Sequence, residues 1–558
     1  MATINSQILF LTTSPRTPEK MIPEIDLLAT NFSGLKWSHK VQCEFMDVLR
    51  NETFFNGKGE NDAAFSARDR INRAPKSLGF VKLNPVISLT PAGEALLSSH
   101  RKDEVFLRQM LKFQIPSPFH KPTEKATTFC VKPYLEILRL VRTMGTLKFD
   151  ELRLFGMQLT DWHKFDEIVQ KIETFRKAKL DNKGSYRRFY QKYTKAELKQ
   201  IFSERIAMGK TKTRESKDKS LDKFFRTQYS NMRDYADACF RYLRATELVN
   251  VSHVGKSLSI IPERLADVDF ILKTVEREPL SFTTEDDYIN YLGDIEIPRL
   301  YTDDKGILVQ RIKSEFPDVA IDPLWNAARL KDILAENIEI RKKEEMVRQV
   351  KEIKDYKFYD DIQNTFRQIV AKELYDNPLM LEWNTWRAMT MLDGGEIRAN
   401  LRFDDFGKPL STAQGNMADI VCDYGDFNLI VEVTMASGQK QYEMECEPIS
   451  RHLGKMKKSS HKPCYCLFVS PTINEATVAH CFGLHHLNIS FYGGKSIIVP
   501  LPLEIFQKML EDSYKACFTP NPNQVKRFFE RSMEIVDNGC NEVEWYDEMK
   551  KVAANWLT

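Results

Sequence analysis

No run in this chain of 558 residues is apolar for long enough to span a bilayer, so no membrane-crossing helix is expected. Cysteine is scarce: ten residues in all, which is not the disulfide framework of a small secreted scaffold. The first residues, Met1 to Gln7, lack the basic start and cleavage pattern of a secretory signal, and a cytoplasmic protein is the expectation. An excess of one charge is also missing, because 81 Lys and Arg face 78 Asp and Glu and leave a net +3. The field of the whole molecule is therefore weak. Any nucleic-acid footprint must come from local basic clusters. No Gly-x-Gly-x-x-Gly follows a strand-like run, and neither Gly255-Lys-Ser257 nor Gly494-Lys-Ser496 has a glycine five residues earlier. A phosphate-binding loop needs that glycine, so methyltransferases and ATP-driven motors are set aside.

Zinc has little support. Cys464-Tyr-Cys466 and His480-Cys481 with His485-His486 fit no usual ligand spacing. Alternation along a strand would instead place Cys464 and Cys466 on one face as small buried hydrophobes.

What is present suggests several domains, three or four by length. The expected organisation is a recognition subdomain over 1–120, further ones over 121–300, a helical linker region over 301–378, and an α/β domain over 379–558. In the first part, Asp62 to Arg73 reads as a helix carrying Arg68, Arg70 and Arg73. Two short strands around Asn84-Pro85 follow, then a helix with Thr90 as N-cap and Pro91 at its first position. Helix, β-wing, helix is the winged-helix order, in which one helix enters the DNA major groove. A similar cadence recurs over Pro133 to Leu152 and again over Asn231 to Ile261, where Arg233 lies on the helix. Two basic stretches lie between these cadences. One interleaves Tyr186, Arg187, Arg188, Tyr190 and Lys192; the other holds Lys210, Lys212 and Arg214 in an apolar-poor loop. Such stretches are either solvated surface or phosphate contacts, and three winged-helix patterns beside them favour phosphate. From Leu324 to Ile369 there is neither Gly nor Pro, as a stiff helical linker or one more surface helix would have it.

The most telling chemistry comes late. Asp419 opens one β-prone run, Gly425 to Asn428 marks a turn, and Glu432 interrupts a second run from Leu429 to Val433. A carboxylate inside a buried strand is costly unless something pairs with it. A divalent cation shared by Asp419 and Glu432 would do so, and hard oxygen ligands suit Mg²⁺. A helix expected from Gln439 to about Lys458 then places Gln441, Glu445 and His452 on one face, with Pro448 as an expected kink.

Asp419 followed by Glu432-Val-Thr434 resembles the PD-(D/E)xK nuclease motif. More specifically, the chain resembles the AlwI/MlyI/BstNBI family of type IIS restriction and nicking endonucleases. The likeness is carried by Thr13 to Lys20, Ala64 to Arg70, Gly79 to Val81, Glu382 to Trp386, Glu432 to Thr434 and Met444 to His452. It implies a multidomain, mostly α protein, with winged-helix DNA-binding subdomains before an α/β PD-(D/E)xK-type nuclease domain built on a small mixed sheet. It implies Mg²⁺ held by Asp419, Glu432 and the Val433 carbonyl, with Glu382 and Glu445 completing an acidic site. Ala418 replaces the usual Pro, and Thr434 the usual Lys that orients the attacking water. The base is thus open between Glu445 and His452, whereas Gln441 could only position water. The resemblance further implies double-stranded DNA as partner, read at a short asymmetric site of about five base pairs such as GAGTC or GGATC, and cut a few base pairs downstream. Arginine to guanine is the commonest base contact, which singles out Arg68, Arg70 and Arg73. A monomer whose nuclease domains pair transiently on DNA, and a cognate DNA methyltransferase, complete the expectation. Strand-specific nicking and DNA binding without cleavage are the alternatives.

Overall fold

A computed structural model of the chain describes every residue except 1, 5, 6, 53, 54, 56–61, 123–128, 214, 215, 217, 393, 405, 406, 414–416, 517–520 and 558. The fold is mostly helical. It divides into two compact units, residues 1–51 with 57–337 and residues 52–56 with 338–558. Among the described residues no helix is long and apolar enough to cross a membrane.

In the first unit, helix α1 (Ala63–Ile71) starts where the Asp62 side chain accepts the Phe65 N–H at 2.9 Å. Strands β1 (Val81–Lys82) and β2 (Ser88–Leu89) pair antiparallel, with Val81 opposite Leu89. Helix α2 (Pro91–Ser98) is capped by Thr90, whose hydroxyl accepts the Gly93 N–H at 3.1 Å. Gly93 is needed for packing, since a Cβ there would lie 2.1 Å from the Phe80 carbonyl oxygen of the hairpin.

The later cadences differ from the expected repeat. Helix α3 (Pro133–Met144) leads through β3 (Thr146–Lys148) into α4 (Phe149–Leu154). Helices α5 (Phe165–Asp181) and α6 (Tyr186–Ile201) intervene before α7 (Leu221–Arg244), β4 (Val249–Ser252) and β5 (Ser257–Ile260). Strand β5 lies between β3 and β4, with Leu258 opposite both Leu147 and Val251. The second and third cadences therefore share one sheet and form one module. Pairing across so long an intervening segment leaves no local pattern to read.

Helix α8 (Ala327–Lys354) occupies the stretch without Gly or Pro, and the boundary between the two units falls inside it. It does not continue to Ile369. Tyr356 adopts φ +58°, outside the helical region, and a new helix begins at Tyr359.

The second unit is built on a five-stranded mixed sheet. Helix α9 (Asn377–Leu392) precedes β6 (Glu396–Ala399), β7 (Ile420–Asp423) and β8 (Asn428–Val433). Then come α10 (Gln439–Ser459), β9 (Cys464–Ser470), α11 (Glu475–His486) and β10 (Ile498–Pro502). The strand order is β10-β9-β8-β7-β6. Strand β7 runs antiparallel to both of its neighbours, whereas β8, β9 and β10 are parallel. The parallel strands read as continuous apolar runs, as sheets covered on both faces require. Cys464 and Cys466 are buried in β9, beside the fully buried Phe468 and Val469. The turn between β7 and β8 is closed by Gly425 at φ +83°, whose N–H donates to Asp423 Oδ1 at 2.9 Å. Three further helices, α12 (Leu503–Ala516), α13 (Pro522–Asp537) and α14 (Glu542–Ala554), complete the unit, with Trp545 fully buried among them.

Candidate active site

The antiparallel register of β7 and β8 sets Ile420 opposite Val431, so Asp419 and Glu432 follow one step on, at the end of the central strand. The Asp419 side chain is tied to β8 as well: the Val433 N–H donates to Asp419 Oδ2 at 2.8 Å. Glu432 is buried, and its Oε1 lies 2.7 Å from His452 Nδ1 on α10. Glu445, two turns before His452 on the same face of α10, accepts the Thr434 hydroxyl at 2.7 Å. The Ala436 N–H in turn donates to Thr434 Oγ1 at 3.0 Å. Helix α10 runs through Pro448 without a break in its span.

The acids repel one another. Burial raises the Asp419 carboxyl well above its ordinary range, and the nearby charges of Glu432 and Glu445 raise it further. Burial does the same to Glu432, with Glu445 adding to it and Arg451 opposing. Glu445 is raised by burial, against the Thr434 hydrogen bond that lowers it. His452 is pushed down to about 4, first by burial and then by Arg451 and Lys455. A contact of 2.7 Å between Glu432 and His452 needs one proton between them, and burial favours the neutral form of each. His452 Nε2 is buried without a hydrogen-bond partner among the described residues.

Gln441 is placed differently from the expectation that it might position water. Its amide nitrogen donates to the Ala436 carbonyl, Ser470 Oγ and the Thr472 carbonyl, while its oxygen accepts the Asn474 N–H. That amide is saturated as a clamp between the two loops at the sheet's end. Glu382, buried on α9, accepts the Ala413 N–H at 3.0 Å, on the segment leading to Asp419. Arg451 was not singled out in the sequence, although its place beside His452 on a helix next to two acids is the signal that would have found it. Among the described residues no group of three or more His, Cys, Asp and Glu side chains is placed so that it could hold a metal ion. Glu432 is turned to His452, Glu445 to Thr434 and Asp419 to an N–H.

The arginines of the first unit divide. Arg68 donates to Gln42 Oε1 at 2.8 Å, Arg70 pairs with the buried Glu24, and Arg73 pairs with Asp69 one turn back. All three are engaged inside the protein. Arg187 and Arg188 are exposed on α6, as are Lys210 and Lys212 beyond it. Arg233 is exposed on α7 and pairs with Asp234 at 3.2 Å. Arg214 lies outside the described residues.

The model of the AlwI restriction endonuclease family matches residues 76–509. Among solved structures, the small subunit R.BspD6I2 of the heterodimeric restriction endonuclease R.BspD6I is 24% identical, over 36% of this chain and 98% of its own, with a TM-score of 0.29. The BpuJ1 endonuclease binding domain, crystallised with pyrene- and phenanthrene-modified DNA, is 13% identical over 51% of this chain and 96% of its own, with a TM-score of 0.34. No curated protein matches. The family model spans 434 of the 558 residues and includes every acid of the site, and the chain therefore belongs to the AlwI restriction endonuclease family.

Proposed function

We propose that the protein is a type IIS site-specific deoxyribonuclease. Its first unit reads a short asymmetric duplex site through winged-helix-like modules, and its second, a PD-(D/E)xK-type domain, hydrolyses phosphodiesters a few base pairs away. The observation that carries this reading is the meeting of Asp419 and Glu432 at the end of the central strand, with Glu445 close enough to shift both of their pKa values.

The donor set fits a hard divalent cation. Asp419 and Glu432, buried acids that disfavour each other's charge, gain most from a cation held between them. Asp419, Glu432 and the Val433 carbonyl would hold Mg²⁺. Bound there, Mg²⁺ supplies Lewis acidity and neutralises charge on the scissile phosphate. The chain's own residues do the rest. The Val433 N–H orients Asp419, and Thr434 holds Glu445 in place of the absent Lys. With Glu432 ionised, His452 would donate from Nδ1 and leave Nε2, without a partner among the described residues, as a proton acceptor, and Glu445 is the other candidate base. Arg451, half-buried and paired with Glu447 at 2.9 Å, adds positive charge beside the acids.

Purified protein incubated with plasmid, with and without Mg²⁺, followed by sequencing both strands at the new ends, tests the reading. The expected result is a cut at constant offset from one short sequence, leaving 5′-phosphate and 3′-hydroxyl ends. Nicked circles without linear product would select a strand-specific nicking enzyme. Random cutting, or none with metal present, would overturn the proposal.

A further inference from the structure

In the first unit, a cavity of about 630 Å³ opens between α6 and α7. Its volume lies within the range of ~300–1,000 Å³ typical of small-molecule sites. The walls are aromatic: Tyr186 and Tyr190 on α6, Phe225 and Tyr229 on α7. Tyr186 and Tyr190 stack on each other at 5.8 Å between centroids and 30° between planes. These rings are fixed in place. Asp150 accepts the Tyr186 hydroxyl on its carboxylate at 2.8 Å and the Tyr190 hydroxyl on its carbonyl at 3.3 Å. The Arg153 guanidinium lies 3.2 Å from the Tyr229 ring centre. A preorganised aromatic slot of this kind suits a flat ligand that stacks.

Two more features say what kind of flat ligand. Thr194, only 6% exposed, lines the cavity, and its hydroxyl finds no hydrogen-bond partner among the described residues. A buried hydroxyl without a partner costs free energy, which a polar-edged ligand returns once rotation about the Thr194 χ1 turns that hydroxyl to the cavity. Cations also lie along the lining. Arg187 is exposed there, and Arg226 and Lys195 lie nearby, with Lys195 loosely paired to Asp222 at 3.8 Å. Aromatic faces, one unpartnered polar group and rim cations together describe a base with its phosphate.

We propose that this cavity binds one unstacked nucleotide of a DNA strand, with the base between the α6 and α7 rings and the phosphate at Arg187 and Arg226. The proposal rests on the reading of the protein as a DNA-cleaving enzyme, and it adds a site in the unit that does not hold the acids. It gives the interleaved aromatic and basic pattern of α6 a purpose that phosphate contact alone does not explain. Binding there would be sequence-tolerant, because every base offers a π-face.

The test uses the full chain without Mg²⁺ and a single-stranded thymine 20-mer carrying one 2-aminopurine, with a duplex of the same length and free dAMP as further arms. The strand should produce a saturable change in 2-aminopurine fluorescence. Tyr186→Leu and Arg187→Glu, both at exposed positions, should each weaken it about tenfold, in the range of one lost base stack. Thr194→Val should weaken it less while leaving the circular dichroism spectrum unchanged. If the variants bind the strand as the parent does, or if free dAMP binds as tightly as the strand, the proposal is overturned. If the duplex binds and the single strand does not, this site fails while the nuclease reading stands. If neither nucleic acid binds, both fail.

Discussion

At the scale of single residues, charge in this protein is mostly spoken for before DNA arrives. Arg70 is the clearest case, since it neutralises Glu24, which is only 5% exposed. Removing the arginine leaves a buried acid without its cation, and such losses cost about 3 kcal/mol. We expect Arg70→Ala to lower the unfolding free energy of the first unit by that amount in a urea titration. A weakened duplex affinity at unchanged stability would instead return Arg70 to base reading. The same scale separates Thr434 from Gln441. Gln441→Met should cost about 2 kcal/mol in stability, because the Asn474 N–H and buried carbonyls lose their partner. Thr434→Val should leave stability within about 1 kcal/mol and slow cleavage, because it frees the Glu445 carboxylate. Equal effects of the two on stability would show that Thr434 is structural too.

Lys112 gives a pH dependence with a definite sign. It is fully buried and donates to the Leu292 and Asp294 carbonyls at 2.6 and 2.5 Å. Burial lowers its pKa from 10.5 to about 7, against the opposing pull of Asp294. Between those two values the unfolded chain holds more protons than the folded one, so stability rises with pH across that window. Thermal melts from pH 7 to 10 should show the rise, and Lys112→Met should flatten it. A parent whose melting temperature stays level over that range would refute the assignment.

At the scale of elements, the sequence was read well where signals are local. The cap at Thr90, the turn at Gly425 and the β-prone run around Glu432 each act within a few residues, and the structure places helix, turn and strand accordingly. Reading failed where the deciding contact is distant or the breaker is unusual. The sheet of β3, β5 and β4 joins segments that looked like separate repeats. The break after α8 falls at Tyr356, a residue type that seldom adopts positive φ and so gives no warning. Lys372, exposed at the end of the helix Tyr359–Val370, is held at φ +57° in the same way. A lysine there pays a left-handed penalty of about 1 kcal/mol that glycine escapes. Lys372→Gly should therefore stabilise the second unit by roughly that much in denaturant unfolding, and a loss of stability would contradict it.

At the scale of the whole molecule, the two compact units suggest a division of labour that can be tested by separating its effects. Asp419→Asn and Glu432→Gln should abolish cleavage, by at least a hundredfold in initial rate, while duplex affinity in a gel-shift titration stays within about twofold. Either mutant cutting at the parental rate would remove that acid from the site. Because net charge is only +3, duplex affinity must come from local cations such as Arg187 and Arg188. It should still fall steeply as salt rises, since those contacts release counterions from DNA.

The sequence by itself determined that two acids would share a hairpin and that a polar helix face would follow them, while DNA as the expected substrate class came from the family resemblance. Periodicity and turn chemistry act over short distances, so residue order was enough for the hairpin and the helix face. Only the tertiary structure decided which side chains stay available. It spent Gln441 on a loop clamp, Arg68, Arg70 and Arg73 on internal partners, and Thr434 on Glu445. It also brought α6 and α7 together around an aromatic cavity. Each of those outcomes depends on partners far apart in the chain, and a buried polar group takes whichever partner packing brings within reach.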